Sequence, residues 1–304
     1  MSRNEDVLRR HSTFSACVLL LLLTVLGCGL SGCGLADRTV RRANLNVVEN
    51  FFVAVRRNPD PELVRQGLPT ILLLVDSFLV SSPDDPKLLL VATKAYNSYC
   101  LGFVSEEFEN ARAIALYERS REYGLRLLKQ RAFFAGALDL SIEEYTAALQ
   151  QFTKDDVPEI QAAAAAWLGW IIADTESMEA LAELPKALAL AERALELDES
   201  YGDGTSHIVF ALFFVVQPRG AGQDLDRSKT HFERAIELAG PGNLLPRVLY
   251  AEHFGKATLD EEFFVAQLES VLAVDAKDYP ENRLLNELAQ QQARRLLANR
   301  EDIF

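Results

Sequence analysis

The chain has 304 residues, 49% of them hydrophobic, with 31 Lys plus Arg against 44 Asp plus Glu and a formal charge of −13. That length and apolar content can bury a large core in one domain. The acidity excludes a nucleic-acid binder, whose affinity depends on neutralising phosphates with basic side chains.

At the N-terminus, Arg3, Arg9 and Arg10 precede an apolar run from Ala16 to Leu26. The run is too short to span a bilayer and has the charge layout of a signal peptide. Leu30-Ser31-Gly32-Cys33 follows, the small-residue pattern of a bacterial lipoprotein signal in which the cysteine is acylated and becomes the new N-terminus. Val25-Leu26-Gly27-Cys28 is a weaker copy, because Leu26 is bulky where a small residue is preferred. The expected organisation is therefore a signal peptide over 1–32 and a single lipid-anchored domain over 33–304. An uncleaved anchor would also tie the domain to a membrane from outside the cytoplasm. Gly34 stands where an aspartate would suggest retention at the inner membrane, so the expected location is periplasmic, on the outer membrane. Removal of residues 1–32 takes Arg3, Arg9, Arg10, Glu5 and Asp6 with it and leaves a formal charge of −14. With Cys33 acylated, only Cys100 remains as a thiol and no intrachain disulfide is possible.

Helix signals then follow one another. Leu68, Leu72, Val75 and Leu79 step by four, three and four. Asp85 caps a new helix with Pro86 at its first position, and Leu89, Ala92, Tyr96 and Tyr99 form its stripe. Ser141 with Glu144, and Asp156 with Glu159, read as capping boxes. The Ala162 to Ala166 run leading to Trp167 and Trp170 suits a closely packed helix. After Asp278-Tyr279-Pro280 a last helix shows Leu285, Ala289, Ala293 and Leu296. The predicted fold is all-α, about a dozen helices in pairs with no domain linker between them.

Two of these helices share a word. Glu192-Arg193-Ala194-Leu195-Glu196-Leu197 returns 41 residues later as Glu233-Arg234-Ala235-Ile236-Glu237-Leu238. The core positions Ala187, Leu190, Ala191, Ala194 and Leu195 recur in phase as Ser228, His231, Phe232, Ala235 and Ile236, the stripe of an amphipathic helix. Small residues at Ala187, Ala191 and Ala194 admit a close neighbour, as in the second helix of a tetratricopeptide (TPR) unit. Fainter echoes, Ala113, Tyr117 and Ser120 upstream and Leu268 and Val271 downstream, keep the phase; the 74-residue step from Ser120 to Ala194 predicts one hidden degenerate unit. The expected architecture is a compact solenoid of TPR-like hairpins, which makes surfaces for partners. Two helices alike by chance would carry the same letters.

Between the two words the pattern breaks. Ile208 to Val216 is apolar throughout, framed by Tyr201-Gly202-Asp203-Gly204 and Pro218-Arg219-Gly220-Ala221-Gly222. As a helix it must be enclosed, either as a core element or as the wall of an apolar cavity; a buried strand is the other structural reading. His207 precedes it and could satisfy a backbone group or hydrogen-bond a ligand carboxylate.

Catalytic constellations are missing from the sequence. His207, His231 and His253 share no spacing that suggests one metal. There is no nucleophile elbow or Walker loop, and Gly220-Ala221-Gly222 lacks the third glycine and the preceding strand of a dinucleotide fingerprint. Asp224 and Asp226 read as the cap and first turn of the helix that follows. Neither an enzyme nor a cofactor or metal is expected.

The mature chain resembles the TatT lipoproteins, the TPR-containing component associated with TRAP (tripartite ATP-independent periplasmic) transporters. The likeness is carried by Asn58-Pro59-Asp60-Pro61-Glu62-Leu63, by Tyr201-Gly202-Asp203-Gly204 with His207, and by Tyr250-Ala251-Glu252. It continues in Arg283-Leu284-Leu285-Asn286, Ala293-Arg294-Arg295-Leu296-Leu297 and the closing Asp302-Ile303-Phe304. Ala221-Gly222 stands where the family usually has a glycine pair. The resemblance implies a periplasmic TPR-like protein, often a homotrimer, that meets the solute-binding component of a transporter and helps deliver a small organic or hydrophobic solute. In that setting Tyr201, His207, Phe210, Phe214, Tyr250, Arg283 and Asn286 are the candidate cavity residues, and Cys33 is the lipidation site. The competing reading is a scaffold for envelope or outer-membrane assembly with no small-molecule ligand.

Overall fold

The computed structural model describes residues 50–104, 110–217 and 222–304. The elements below belong to the compact unit Val53–Phe304. The expected signal peptide, Cys33 and the 218–221 part of the turn after the apolar run lie outside the described residues.

α1 (Pro61–Ser81) starts where the Asp60 carboxylate accepts from the Glu62 and Leu63 N–H groups and Pro61 has no N–H to satisfy. It is long and apolar enough to cross a membrane. In the fold it instead buries Val64, Leu68, Leu72, Val75 and Leu79 in the core. Asp76 on the same helix accepts hydrogen bonds from Tyr96 (2.7 Å) and Tyr123 (2.8 Å). α2 (Pro86–Phe103) is capped by Asp85 and buries Leu89, Ala92, Tyr96 and Tyr99, as the periodicity predicts.

The chain continues through α3 (Asn110–Leu128), the short α4 (Ile142–Leu149) and α5 (Val157–Ala173). α6 (Met178–Leu197), α7 (Thr205–Val216) and α8 (Leu225–Ala239) follow. Then α9 (Leu245–Leu249) passes through a π-helical turn, Tyr250–Gly255, into α10 (Lys256–Thr258). The described chain closes with α11 (Glu261–Leu272), α12 (Arg283–Ala298) and α13 (Arg300–Ile303). Among the described residues there is no strand, so the molecule is all-α and the apolar run 208–216 is helical.

Three local expectations are revised. Ser141 and Glu144 make the predicted capping box, but Asp156 does not make one with Glu159. Its carboxylate accepts from the Thr153 N–H and hydroxyl, both at 2.9 Å, closing a 3-10 turn before α5. The 74-residue step between Ser120 and Ala194 holds no extra helical pair, because only α4 and two 3-10 turns separate α3 from α5. On α12 the buried stripe runs through Leu284, Ala289, Ala293 and Leu296, with Leu285 only partly covered.

Packing largely follows chain order. α1 lies on α2, α2 on α3, α3 directly on α5, α5 on α6, α7 on α8 and α11 on α12, while α4 leans on α6. The skip from α3 to α5 is a close approach: a Cβ on Gly124 would lie 2.9 Å from the Ala163 Cα, so only glycine lets these backbones meet. The joint is reinforced where Arg121 lies 4.5 Å over the Trp170 ring and pairs with Glu183, which also accepts from the buried Trp167 indole at 2.6 Å. Buried serines tie two of the pairs: Ser120 donates to the Thr93 carbonyl from α3 to α2, and Ser228 donates to the Ala211 carbonyl from α8 to α7, each at 2.8 Å. α12 also touches α1, and just before these two helices Arg57 pairs with Glu281.

Candidate functional site

The segment between the repeated words sits where the chain changes direction. Gly202, Asp203 and Gly204 all have positive φ, at 59°, 58° and 76°. At Gly204 a side chain would also press on Leu238 at 3.0 Å, so the glycine is required both by conformation and by space. Asn243 donates to the Asp203 carboxylate at 3.3 Å, and Lys94 on α2 donates to the Tyr201 hydroxyl at 3.0 Å. These contacts set the direction in which α7 leaves the turn.

α7 carries His207, Phe210 and Phe214 along one face, and α8 meets that face with His231. The two imidazoles are joined Nδ1 to Nδ1 at 2.9 Å, and His207 Nε2 lies 3.2 Å from the Glu199 carboxylate. His231 stacks on Phe210 (5.6 Å, 29°) and on Phe214 (5.8 Å, 25°). Arg227 covers the other end, its guanidinium 3.9 Å from the Phe214 ring centre. Glu199 is in turn clamped by Arg234. Hydrogen bonding by Arg234 first, then by His207, pulls the Glu199 carboxyl down to about 2. Burial first, then the nearness of His207 and of the Arg227 cation, pushes His231 down to about 4.

Phe210 and Phe214 are buried, at 9% and 7% exposure, in a cluster with Leu190, Ala191 and Ala194 of α6 and Trp167 of α5. Beside them a crevice lined by Gln161, Ala164, Ala165, Ala191, Ala194, Ser206 and Val209 has room for about one water molecule. Tyr250 stands outside this cluster. It joins Ala211 and Phe232 in a separate cluster, stacks on Phe232 at 4.9 Å and opens the π-helical turn. Burial, with the Glu233 carboxylate nearby, raises its hydroxyl to about 12.

Arg283 and Asn286 stand elsewhere, on α12. Arg283 pairs with Glu287 at 2.6 Å and keeps a buried Nε without a partner. The Asn286 amide accepts from the Leu244 N–H and donates to the Gly242 carbonyl, both at 3.0 Å. The fold thus gathers His207, Phe210 and Phe214, and places Tyr201 in the turn that leads into them. Tyr250 belongs to the separate cluster with Ala211 and Phe232, and Arg283 and Asn286 stand on α12.

The residues that complete the first group, Glu199, Arg227, His231 and Arg234, are not among the candidates that the sequence offers. The signal that could have found His231 is its place in the repeat, where it occupies the core position that Leu190 holds in the first word. Spacing along the chain did not suggest that His207 and His231 meet, because they lie on different helices. Among the described residues no group of three or more His, Cys, Asp or Glu is placed to hold a metal.

The sequence model of a family described as TAtT, TRAP transporter T-component, matches residues 57–304. The chain belongs to this family. The match spans the whole helical array from α1 to α13, so the α7–α8 site lies inside the T-component region. T-components are transporter accessory proteins, not enzymes. The chain is also similar to an uncharacterized protein of Treponema pallidum (strain Nichols), at 26% identity over 279 residues, covering 84% of each chain.

Proposed function

We propose that this T-component is a periplasmic lipoprotein, acylated at Cys33 and held on the outer membrane. It docks the solute-binding component of its TRAP transporter and assists delivery of a small organic solute. The observation that carries this reading is the family match over residues 57–304. Its helix pairs α5–α6 and α7–α8 act as TPR-like units, with the repeated words on the second helix of each. In support, Ala194 and Ala235 occupy the same phase and are both fully buried. Transport energy comes from the permease, so the scaffold needs no nucleotide site. On this reading it works as a homo-oligomer, a trimer.

The candidate solute contacts are the α7–α8 group, with Arg227 and the histidines supplying N–H donors beside the Phe210 and Phe214 rings. Tyr201, in the turn that leads into this group, supplies a further polar contact. The deciding experiment is a pull-down with the full-length lipidated protein, using the cognate TRAP solute-binding component as prey. Capture of that component supports the reading. Capture of envelope-assembly machinery in its place would sink it and favour a scaffold with no solute. Fractionation of wild type against Cys33→Ala tests the anchor: wild type is expected in outer-membrane fractions and the variant to be missing from them.

A further inference from the structure

The contact between His207 and His231 places a proton-dependent joint between α7 and α8. At 2.9 Å between the two Nδ1 atoms, one nitrogen must donate and the other accept. Two arrangements satisfy this together with the Glu199 contact: a neutral His207 accepting from His231, or a cationic His207 donating to a neutral His231. When both rings are cationic, two N–H groups face each other and the bond is lost. We propose that this pair is an acid-released latch: the proton that makes both rings cationic parts α7 from α8 and uncovers the Phe210 and Phe214 rings stacked on His231.

The surroundings favour this outcome over a silent titration. His231 is half-buried against two phenyl rings. The charged groups that face the pair are Glu199 from the turn after α6, and Arg227 and Arg234 from α8 itself. Glu199 binds the far nitrogen of His207 and is already shared with Arg234, so it offers His231 no counter-charge. Arg227 is a cation and opposes a second one. The α6 residues packed on this cluster, Leu190, Ala191 and Ala194, are apolar. Across α8, Glu233 faces Tyr250 on the other side.

The sign follows from linkage. His231 in the closed state resists protonation down to about 4, whereas a solvated histidine takes its proton near 6.5. The open state therefore binds more protons between these values, and closure is lost as pH falls through that window. The inference rests on the α7–α8 geometry and not on any ligand.

Native-state hydrogen exchange on the folded chain reads the latch directly. Corrected for intrinsic rates, opening of the α7 and α8 amides should rise about tenfold from about pH 7.5 to about pH 5.5 in wild type. It should stay flat in His231→Phe, which keeps the aromatic stack but cannot titrate, and in His231→Gln should that variant fold better. NMR titration of the His231 ring gives a second readout: its midpoint should lie below about 5 in wild type and move up in His207→Gln. A wild-type midpoint near 6.5, or the same pH slope with and without His231, would overturn the latch.

Discussion

Asn286 is fully buried, and both ends of its amide are committed to the backbone of a turn 42 and 44 residues earlier in the chain. Asn286→Ala strands the buried Leu244 N–H, while the Gly242 carbonyl keeps its bond from Asn282 at 3.0 Å, and should cost about 1–3 kcal/mol in urea denaturation. Were Asn286 only a solute contact, stability would be unchanged. Cys100 illustrates the same dependence on context. Burial raises its thiol to about 12, so almost no thiolate exists at neutral pH. Iodoacetamide should leave the folded protein unlabelled at Cys100 and react there only in denaturant, a difference that intact-mass measurement reads. Neither residue announces these roles in sequence. An asparagine in a helix says nothing of a turn far upstream, and a lone cysteine does not display its neighbours.

Helices were the most legible level, because a stripe of period 3.6 needs only local order. The residues singled out on α1 and α2 are the buried ones, and the two repeated words place Ala194 and Ala235 at equivalent, fully covered positions. Ala194→Leu and Ala235→Leu should therefore destabilise by similar amounts, about 1–3 kcal/mol each, as overpacked helix contacts do. Thermal denaturation of the two variants side by side checks this, and a loss at only one of them would break the structural equivalence. Gly124→Ala should cost a comparable amount, since its Cβ would meet the Ala163 backbone. What periodicity missed is where two elements negotiate. Asp156 serves Thr153 and Arg131 in place of a helix cap, and the six-residue π-helical turn at Tyr250 leaves no mark in the pattern. His231 was visible only as a polar residue in an apolar slot, a sign that needs a partner to be interpreted.

For the unit as a whole, the all-α class and the family followed from the chain, whereas the neighbours of each helix did not, because they join residues far apart. α12 supplies Ala289, Ala293 and Leu296 to the cluster around Phe264 and Leu268, and Gln290 caps the Val271 and Val274 carbonyls at 3.2 and 2.7 Å. Removing Arg283–Phe304 should therefore abolish cooperative unfolding in place of trimming an end, seen as a flattened urea transition. Removing Phe304 alone, 40% exposed with its edge on Phe264, should cost no more than about 1 kcal/mol. The contact of α12 with α1 also sets a timetable for biosynthesis. Arg57, just before α1, and Glu281, just before α12, are 224 residues apart, so at ribosomal speed the side of α1 that α12 will cover waits roughly 10–45 s for its partner to be made.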